Sequence, residues 1–109
     1  MFPFGKKHDL HEFTPPALHD AMAEGRVVLV DVRERSEFDT ARIEGAVNLP
    51  LSRFEPASIP AGEIVLHCGV GKRSRMAADL CTKAGVKVAG HLAGGLSAWS
   101  AAGLPISYG

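Results

Sequence analysis

One cysteine stands where an apolar run gives way to glycine and positive charge. Cys68 follows the residues IVLH and precedes GVGKRS. Gly69 and Gly71 can adopt backbone angles that turn successive N–H groups to one side as an anion-binding nest. Lys72 and Arg73 add two full charges beside the sulfur. The sequence therefore predicts a thiolate whose pKa is lowered, which makes it a nucleophile near neutral pH.

The segments on either side of Cys68 favour the same interpretation. Glu63–His67 is typical of a strand, and a helical pattern covers Arg75–Ala84. Ligands of parallel sheets bind beyond the carboxyl ends of strands, and a helix N-terminus offers unpaired N–H groups. Such a loop can also bind the oxyanion of a substrate. The alternative is that Cys68 closes a strand as a small apolar residue, a common use of buried cysteine.

The rest of the chain alternates strand and helix patterns, which predicts an open parallel α/β sheet with helices on both faces. A helix is predicted to begin at Thr14, with two prolines in its first turn, and to stop at Gly25. The stretch Ser52–Gly62 is predicted to be a connection. The remaining predicted strands are Val27–Val32, Ala46–Pro50 and Val86–Gly90, and the remaining predicted helices lie around Ser36–Thr40 and from Gly94 to Gly103.

Composition restricts the class of partner. The chain has 109 residues, which suits one compact domain, and 46% of them are hydrophobic. Twelve basic residues balance twelve acidic ones, so no net charge attracts nucleic acid or an anionic membrane. No apolar stretch approaches the roughly 20 residues of a membrane span, and the N-terminus lacks the pattern of a secretory signal. We therefore expect a cytoplasmic protein without nucleic acid or membrane partners.

The second cysteine is predicted to have a packing role. Cys81 lies on the apolar face of the predicted helix, where core packing is the expected role and a resolving thiol is the alternative. A disulfide with Cys68 is not expected in a reducing compartment. Two cysteines are also too few for a four-thiolate zinc site. The apolar face is predicted to contain Met76, Ala77, Leu80, Cys81 and Ala84.

The histidines do not form a convincing metal site. His8, His11 and Glu12 lie close together near the N-terminus. They have no third fixed ligand, so we predict no resident metal there. His67 and His91 fall in or near predicted strand ends, where they could line the site. We expect both to be packed or hydrogen-bonded residues instead.

Four segments together resemble the single-domain rhodanese-like sulfurtransferases. In chain order they are LVDVRERSEF, IEGAVNLP, CGVGKRS and HLAGGLSAW. The resemblance extends from Phe13 to Pro105. We predict an N-terminal arm over residues 1–12 and a rhodanese-like domain over residues 13–107. The resemblance implies an α/β fold with an open five-stranded parallel sheet and helices on both faces.

The resemblance also implies a reaction and its reactants. Cys68 would take sulfane sulfur from a small anionic donor such as thiosulfate and carry it as a persulfide. A thiophilic acceptor, either cyanide or a thiol, would then remove that sulfur. The thiol could belong to a protein. The implied reaction needs no metal and no organic cofactor.

The same resemblance gives the residues of the site their expected roles. Cys68 is the expected catalytic nucleophile, and the backbone N–H groups after it would cradle the persulfide. Asp31 is expected to support the site, whereas Arg33 is expected either to support it or to contact substrate. The predicted substrate-binding residues are Gly69, Val70, Gly71, Lys72, Arg73, Ser74 and Arg33.

Two details concern the shape of neighbouring turns. The family usually has Gly-His before the isoleucine of IEGA, where this chain has Ala41-Arg42. A turn that normally uses glycine must be made with alanine, and Arg42 adds a positive charge of unknown orientation. The Gly94-Gly95 pair is expected to make a tight turn near the cysteine loop.

Two other functions use a similar cysteine loop. A cysteine phosphatase or arsenate reductase would have Cys-x5-Arg, whereas four residues separate Cys68 from Arg73. The shorter loop favours a terminal sulfur over phosphate, and only Asp39 and Glu44 are nearby acids that could protonate a leaving group. The other alternative is a non-catalytic sulfane-sulfur carrier or docking module. It would use the same Cys68 chemistry, so the sequence does not separate it from the enzyme.

Overall fold

The computed structural model describes residues 10–109, along which helices alternate with short strands. Two 3₁₀ turns, Leu51–Arg53 and Pro56–Ser58, lie in and beside the predicted connection. The strands are β1 (Glu12–Phe13), β2 (Val28–Asp31), β3 (Ala41–Arg42), β4 (Val47–Asn48), β5 (Ile64–His67), β6 (Gly90–Leu92) and β7 (Ser107–Tyr108). The helices are α1 (Pro15–Ala23), α2 (Arg35–Thr40), α3 (Lys72–Lys83) and α4 (Gly95–Ala101).

The main sheet has five strands in the order β1-β6-β5-β2-β4, and every neighbouring pair in it is parallel. Its centre is the pairing of β2 with β5, which runs from Val28 opposite Ile64 to Asp31 opposite His67. The strand β2 lies in the continuous valine-rich run whose pattern suits a strand covered on both faces. The prediction of an open five-stranded parallel sheet is therefore confirmed.

Apolar residues fill both sides of this sheet. One cluster packs sheet residues against α3, and the other packs them against α1 and α4. Neighbouring residues of β5 alternate between the two clusters, with Leu66 in the first and Val65 in the second. Helices therefore cover both faces, as predicted. The first cluster contains Val30, Val32, Ile64, Leu66, Cys68, Ala77 and Ala78, and the second contains Leu18, Leu29, Ile43, Val65, Leu92 and Trp99.

The first helix begins and ends where the sequence predicts. Thr14 is the N-cap of α1, and its hydroxyl accepts a hydrogen bond from the Ala17 N–H at 3.3 Å. Pro15 and Pro16 occupy the first turn, where a missing N–H removes no helical hydrogen bond. Gly25 follows the helix with φ +69°, a left-handed conformation that favours glycine.

The helix after the cysteine loop begins earlier than predicted. It starts at Lys72 rather than at Arg75, because Gly71 takes φ +107° and turns the chain directly into the helix. The predicted apolar face was also partly wrong, since Met76 and Leu80 are 56% and 40% exposed. Smaller side chains at helical spacing face the sheet instead. The buried residues of α3 are Ser74, Ala77, Ala78 and Cys81.

The strand predicted at Val86–Gly90 was placed too early. The observed strand β6 covers Gly90–Leu92 and pairs with β5 through Val65 opposite Gly90. A side chain at Gly90 would collide with the His11 backbone, so glycine here lets β1 lie along the other side of β6. The register is set by these tertiary contacts, which the apolar alternation before Gly90 does not reveal.

Three strands were not predicted. The strand β1 forms one edge of the main sheet beside β6, and β3 and β7 form a separate antiparallel pair. Each of the three has only two residues, which is too short to show alternation. Within residues 10–109, no helix combines the length and apolar character needed to cross a membrane.

Candidate active site

Cys68 lies directly after β5, at the carboxyl edge of the main sheet. Asp31, the last residue of the neighbouring β2, is paired in register with His67. The loop from Gly69 leads into α3 at Lys72, so a strand end, a short loop and a helix N-terminus meet at one sulfur. Cys68 is 1% exposed. This is the kind of position at which parallel sheets bind ligands.

Backbone N–H groups point at the Cys68 sulfur. The N–H groups of Gly71 and Ser74 donate to Sγ at 3.1 and 3.3 Å, and Ser74 Oγ lies 3.7 Å from Sγ. Burial raises the pKa of this thiol, but hydrogen bonds from Ser74, Gly71 and Val70 lower it, and the balance leaves the pKa below its ordinary value. The loop therefore stabilises negative charge on the sulfur.

The start of α4 holds the cysteine loop from the other side. The Leu96 N–H donates to the Cys68 carbonyl at 2.8 Å, and the Ser97 N–H donates to the Gly69 carbonyl at 3.0 Å. A Cβ atom at Gly95 would lie 2.6 Å from the Gly69 carbonyl oxygen, and Gly95 has φ +59°. The expected tight glycine turn is therefore present, and the absence of a side chain allows this close approach.

Arg73 is bound to a carboxylate that sequence reasoning missed. Its guanidinium makes two hydrogen bonds to Glu37 of α2, at 2.7 and 3.1 Å. The hydrogen bond from Arg73 lowers the pKa of Glu37. Glu37 also accepts the Glu34 N–H at 2.9 Å and so completes the capping box of α2. This contact ties the cysteine loop to α2. The spacing of the two glutamates is a sequence signal for the capping box alone.

The neighbouring lysine has different surroundings. Lys72 is exposed at the first position of α3, two residues after the exposed loop residue Val70. Unlike Arg73, it makes no ion pair with any residue between positions 10 and 109. Lys72 is therefore the loop charge that stays available to an anion from solvent.

A buried charged group lies at the strand ends beside the loop. Arg33 and Asp31 form a bidentate ion pair with distances of 2.8 and 3.1 Å, and Arg33 also donates to the Ala41 carbonyl at 2.6 Å. His67 Nε2 lies 3.2 Å from Asp31, although its alignment is poor for a hydrogen bond. Burial raises the pKa of Asp31, but His67 and Arg33 outweigh burial and hold it at about 2. These contacts favour a supporting role for Arg33 as well as for Asp31.

A second buried histidine contacts the loop from β6. His91 Nδ1 lies 2.8 Å from Ser74 Oγ, and His91 Nε2 lies 3.2 Å from a carboxylate oxygen of Glu12. Arg75 donates to the same Glu12 oxygen at 2.7 Å. The prediction that His91 is hydrogen-bonded is therefore confirmed. The position of Glu12 was missed, because it depends on β1, whose two residues show no strand pattern.

The possible metal-binding group near the N-terminus is only partly described, because His8 lies outside residues 10–109. The ring of His11 packs edge-on against Phe13, with ring centres 4.7 Å apart. Across the part of the chain that the structure describes, no three histidine, cysteine or carboxylate side chains are grouped so that they could hold a metal ion.

Cys81 has the surroundings of a packing residue. It is buried on the sheet-facing side of α3, and burial raises the pKa of its thiol. Cys68 and Cys81 are both free thiols. A buried thiol that stays protonated is a poor nucleophile. The pKa is therefore lowered at Cys68 and raised at Cys81, and the greater reactivity of Cys68 stays a prediction.

The effect of Ala41-Arg42 is local. Both residues form β3, where the Ala41 carbonyl accepts a hydrogen bond from Arg33. Arg42 donates to the carbonyls of Phe38 and Asp39 at 3.3 Å each, and its guanidinium lies 5.6 Å from the centre of the Phe38 ring. The extra positive charge thus lies at the C-terminal end of α2, where a cation is favourable.

Comparison with known proteins identifies the family. The family model of the Rhodanese-like domain matches residues 14–102. The chain is 44% identical over 94 residues to an uncharacterized protein of Synechocystis, a match that covers 84% of this chain and 52% of that protein. It is 33% identical over 101 residues to the human thiosulfate:glutathione sulfurtransferase, covering 77% of this chain and 88% of that protein. The chain belongs to the Rhodanese-like domain family.

A solved structure has the same fold. A rhodanese-related protein from Thermoplasma volcanium has a TM-score of 0.79 to this chain, at 22% identity, over 89% of this chain and 97% of the other. The likeness confirms the rhodanese-like α/β fold that the sequence motifs imply.

The chain spans about half the length of the Synechocystis relative, for which the match covers 52%.

Proposed function

We propose that this chain is a rhodanese-type sulfurtransferase that moves sulfane sulfur through a persulfide on Cys68. The observation that carries the proposal is the pair of backbone N–H groups, from Gly71 and Ser74, that donate to the sulfur. Such donors stabilise negative charge on Cys68 and on a terminal sulfur attached to it. The similarity to the human thiosulfate:glutathione sulfurtransferase supports the same chemistry.

The first half-reaction loads sulfur onto the protein. The Cys68 thiolate attacks the sulfane sulfur of thiosulfate and forms a new S–S bond. The S–S bond of thiosulfate breaks, and sulfite leaves with the electron pair of that bond. The terminal sulfur of the persulfide keeps the negative charge, which the N–H groups of the loop stabilise.

The second half-reaction removes that sulfur. A thiolate acceptor attacks the terminal sulfur, the persulfide bond breaks, and Cys68 is released as a thiolate. Cyanide would leave as thiocyanate by the same displacement, whereas a thiol becomes a new persulfide. The N–H groups of Gly71 and Ser74 stabilise the departing thiolate. The cellular acceptor is proposed to be a thiol, in keeping with the cytoplasmic location that the sequence predicts.

The charged residues of the site divide into two groups by their contacts. Lys72 is proposed to bind the anionic end of the donor, because it has no carboxylate partner among the described residues. Arg73 is held by Glu37, so its proposed role is to fix the loop. Arg33 is proposed to support the site together with Asp31. The residues proposed to cradle the persulfide through their backbone are Gly69, Val70, Gly71 and Ser74.

The surroundings of the two candidate general acids argue against a phosphatase. Asp39 pairs with Arg35 at 2.9 Å, and Glu44 accepts a hydrogen bond from Ser107 at 2.8 Å. A sulfur as buried as that of Cys68 is also reached more readily by one terminal sulfur atom than by a tetrahedral phosphate. A carrier or docking function would use the same persulfide and would differ in having a protein thiol as the acceptor.

Intact mass after incubation with thiosulfate tests the proposal. The reduced protein should gain one sulfur atom on Cys68, located by peptide mapping, and cyanide should remove it with formation of thiocyanate. Cys68→Ser should abolish the gain. Cys81→Ser should retain it, because burial keeps the Cys81 thiol protonated.

Two results would contradict this assignment. Equal loss of sulfur uptake in both cysteine variants, with both proteins folded, would show that the reactive thiol is not specifically Cys68. No uptake by the unaltered protein, from thiosulfate or from other sulfane donors, would overturn the proposed function. A phosphate-ester assay would then test the phosphatase alternative.

A further inference from the structure

A line of hydrogen-bonded side chains connects Cys68 to the protein surface. The Cys68 sulfur lies 3.7 Å from Ser74 Oγ, which lies 2.8 Å from His91 Nδ1. On the far side of the ring, His91 Nε2 lies 3.2 Å from Glu12 Oε2. Cys68, Ser74 and His91 are buried, whereas the side chain of Glu12 is 50% exposed. The line therefore leads from a buried thiol to solvent.

The chemistry of these groups gives the line a direction. An ionised carboxylate can only accept hydrogen bonds, so His91 Nε2 carries a proton when it bonds to Glu12. In the neutral ring Nδ1 is then an acceptor, and it accepts a hydrogen bond from the Ser74 hydroxyl. Ser74 Oγ is thereby able to accept a hydrogen bond from the Cys68 S–H group, which is a weak donor. Each donor faces an acceptor from the sulfur to the carboxylate.

Burial and the charge of Arg75 favour a neutral His91 ring before the reaction, whereas Glu12 favours the imidazolium. Burial lowers the pKa of His91, the hydrogen bond to Glu12 raises it in part, and the charge of Arg75 lowers it again, so that the pKa is below its ordinary value. These groups face the ring from β1 and α3. Lys72 adds a positive charge at the same surface cavity of about 190 Å³, which Glu12, Arg75 and His91 help to line. A neutral imidazole next to a carboxylate is able to accept a proton.

We propose that His91 is a positioning residue that activates Cys68 by receiving its thiol proton through the Ser74 hydroxyl. The S–H bond breaks and its proton bonds to Ser74 Oγ, while the former hydroxyl proton passes to His91 Nδ1. One proton moves from sulfur to imidazole, and no electrons are exchanged. The products are a Cys68 thiolate and an imidazolium paired with Glu12. The proposal rests on the proposed function, because it describes how the sulfur-accepting thiolate forms.

Ser74 has the contacts to serve both protonation states. Before the transfer, its hydroxyl donates to His91. After the transfer, the imidazolium donates to Ser74 Oγ, and the hydroxyl is free to donate to the thiolate or to the Gly71 carbonyl at 3.1 Å. The Ser74 backbone N–H also donates to the sulfur. Proton transfer therefore gives the thiolate a further donor.

The pH dependence of Cys68 alkylation tests the relay without requiring sulfurtransferase activity. His91→Asn places an amide near the position of Nδ1, so it retains a partner for Ser74 but cannot hold a proton. At pH 7, alkylation of the Cys68 peptide by iodoacetamide should be roughly tenfold slower than in the unaltered protein. Above the thiol pKa the two rates should converge, because bulk base removes the proton in both. His19→Asn, at an exposed histidine of α1, is the matched control and should leave the profile unchanged.

Glu12→Gln provides a second variant at a half-exposed position, in case His91→Asn does not fold. It removes the charge that stabilises the imidazolium, so it should slow alkylation at pH 7 by a smaller factor and also converge at high pH. Unchanged profiles would overturn the relay. Slowing that persists at high pH would also overturn it, because it would indicate a distorted loop. Sulfur uptake by the unaltered protein tests the proposed function separately.

Discussion

Lys72 and Arg73, at the start of α3, differ in whether their charges are paired with a carboxylate. Arg73 makes two hydrogen bonds to Glu37 and joins the loop to α2. Lys72 is exposed and has no ion-pair partner among residues 10–109. The charge of Lys72 is thus free for a ligand, whereas that of Arg73 is already neutralised. Spacing in the sequence does not distinguish the two, because the difference comes from a contact with another element.

We predict that Lys72→Ala weakens donor binding without weakening the fold. Loss of one exposed charge contact should raise the KM for thiosulfate about fivefold, equivalent to about 1 kcal/mol, while kcat and the melting temperature stay nearly unchanged. Arg73→Ala should instead lower both the melting temperature and the rate of sulfur uptake, because it releases the loop from Glu37. Steady-state kinetics and thermal unfolding separate the two effects.

The control for this comparison is Lys83→Ala, which removes an exposed lysine from the last turn of the same helix. It changes the net charge as Lys72→Ala does but lies far from the sulfur along α3. An equal rise in KM for both lysine variants would mean that the donor responds to overall charge and not to Lys72 itself.

At the scale of elements, the site is a junction of β5, α3 and α4. The strand β5 ends one residue before the cysteine, and Ser74 of α3 and the N-cap Gly71 supply the N–H groups. The start of α4 donates to the carbonyls of Cys68 and Gly69. Gly95 allows this contact, because a Cβ atom there would lie 2.6 Å from the Gly69 carbonyl oxygen. The position of α4 therefore helps to determine the shape of the loop.

We predict that Gly95→Ala is destabilising and also slows sulfur uptake. Its left-handed backbone, with φ +59°, and the collision with the loop should together cost about 3 kcal/mol. Gly103→Ala is the matched control, because Gly103 has φ +76° and a Cβ atom there would meet nothing within 4 Å. It should cost about 1 kcal/mol and leave sulfur uptake unchanged. Urea unfolding measures the loss of stability in each variant, and the rate of persulfide formation measures the effect on sulfur uptake. Equal losses of stability in Gly95→Ala and Gly103→Ala would contradict the predicted effect of the collision.

Elements with a local sequence pattern could be predicted, including the two-residue strand β4 inside the predicted Ala46–Pro50, whereas elements without such a pattern could not. The valine-rich run containing β2 and the capped start of α1 have local signals that the fold retains. The two-residue strands β1, β3 and β7 have no such signal, since only their partners define them. The misplaced β6 shows the same limit, because its register depends on β5 and on the His11 backbone.

The features of the candidate site also fall into those that could be predicted from the sequence and those that could not. The placement of Cys68 at a strand end, followed by a glycine loop and a helix, is local in sequence and could be predicted. The contacts of Arg73 with Glu37 and of His91 with Glu12 join residues that are distant in sequence. They require the packing of α2 and β1 around the loop. A single sequence contains no pattern for such contacts.

At the scale of the whole molecule, charges buried at the sheet's carboxyl edge link its stability to pH. Asp31 is fully buried between β4 and β5, where Arg33 and His67 contact it. Removing water from a carboxylate is costly, and these partners offset the cost. Protonation of Asp31 would weaken both contacts at the centre of the main sheet. Acid is therefore expected to act on the core of the fold as well as on surface charges.

We predict that Asp31 contributes to stability at neutral pH and that this contribution is lost in acid. Its pKa is about 2 in the folded protein, against an ordinary value of 3.8. Because the folded value is the lower one, the ionised form stabilises the fold above the ordinary pKa, and stability falls as pH drops from there towards the folded value. The difference corresponds to about 2 kcal/mol. Urea unfolding measured at decreasing pH should show the loss within this window.

Assignment of the effect to Asp31 needs a measurement on that side chain, because Glu37 also has a lowered pKa and acts in the same direction. In the folded protein, the NMR shift of the Asp31 carboxyl should still be that of an ionised group at about pH 3. Glu37→Gln should keep most of the acid dependence, since Glu37 is partly exposed and its pair with Arg73 is worth at most about 1 kcal/mol. An Asp31 carboxyl already protonated at that pH would contradict the prediction, because the buried ion pair would then contribute nothing to the acid response.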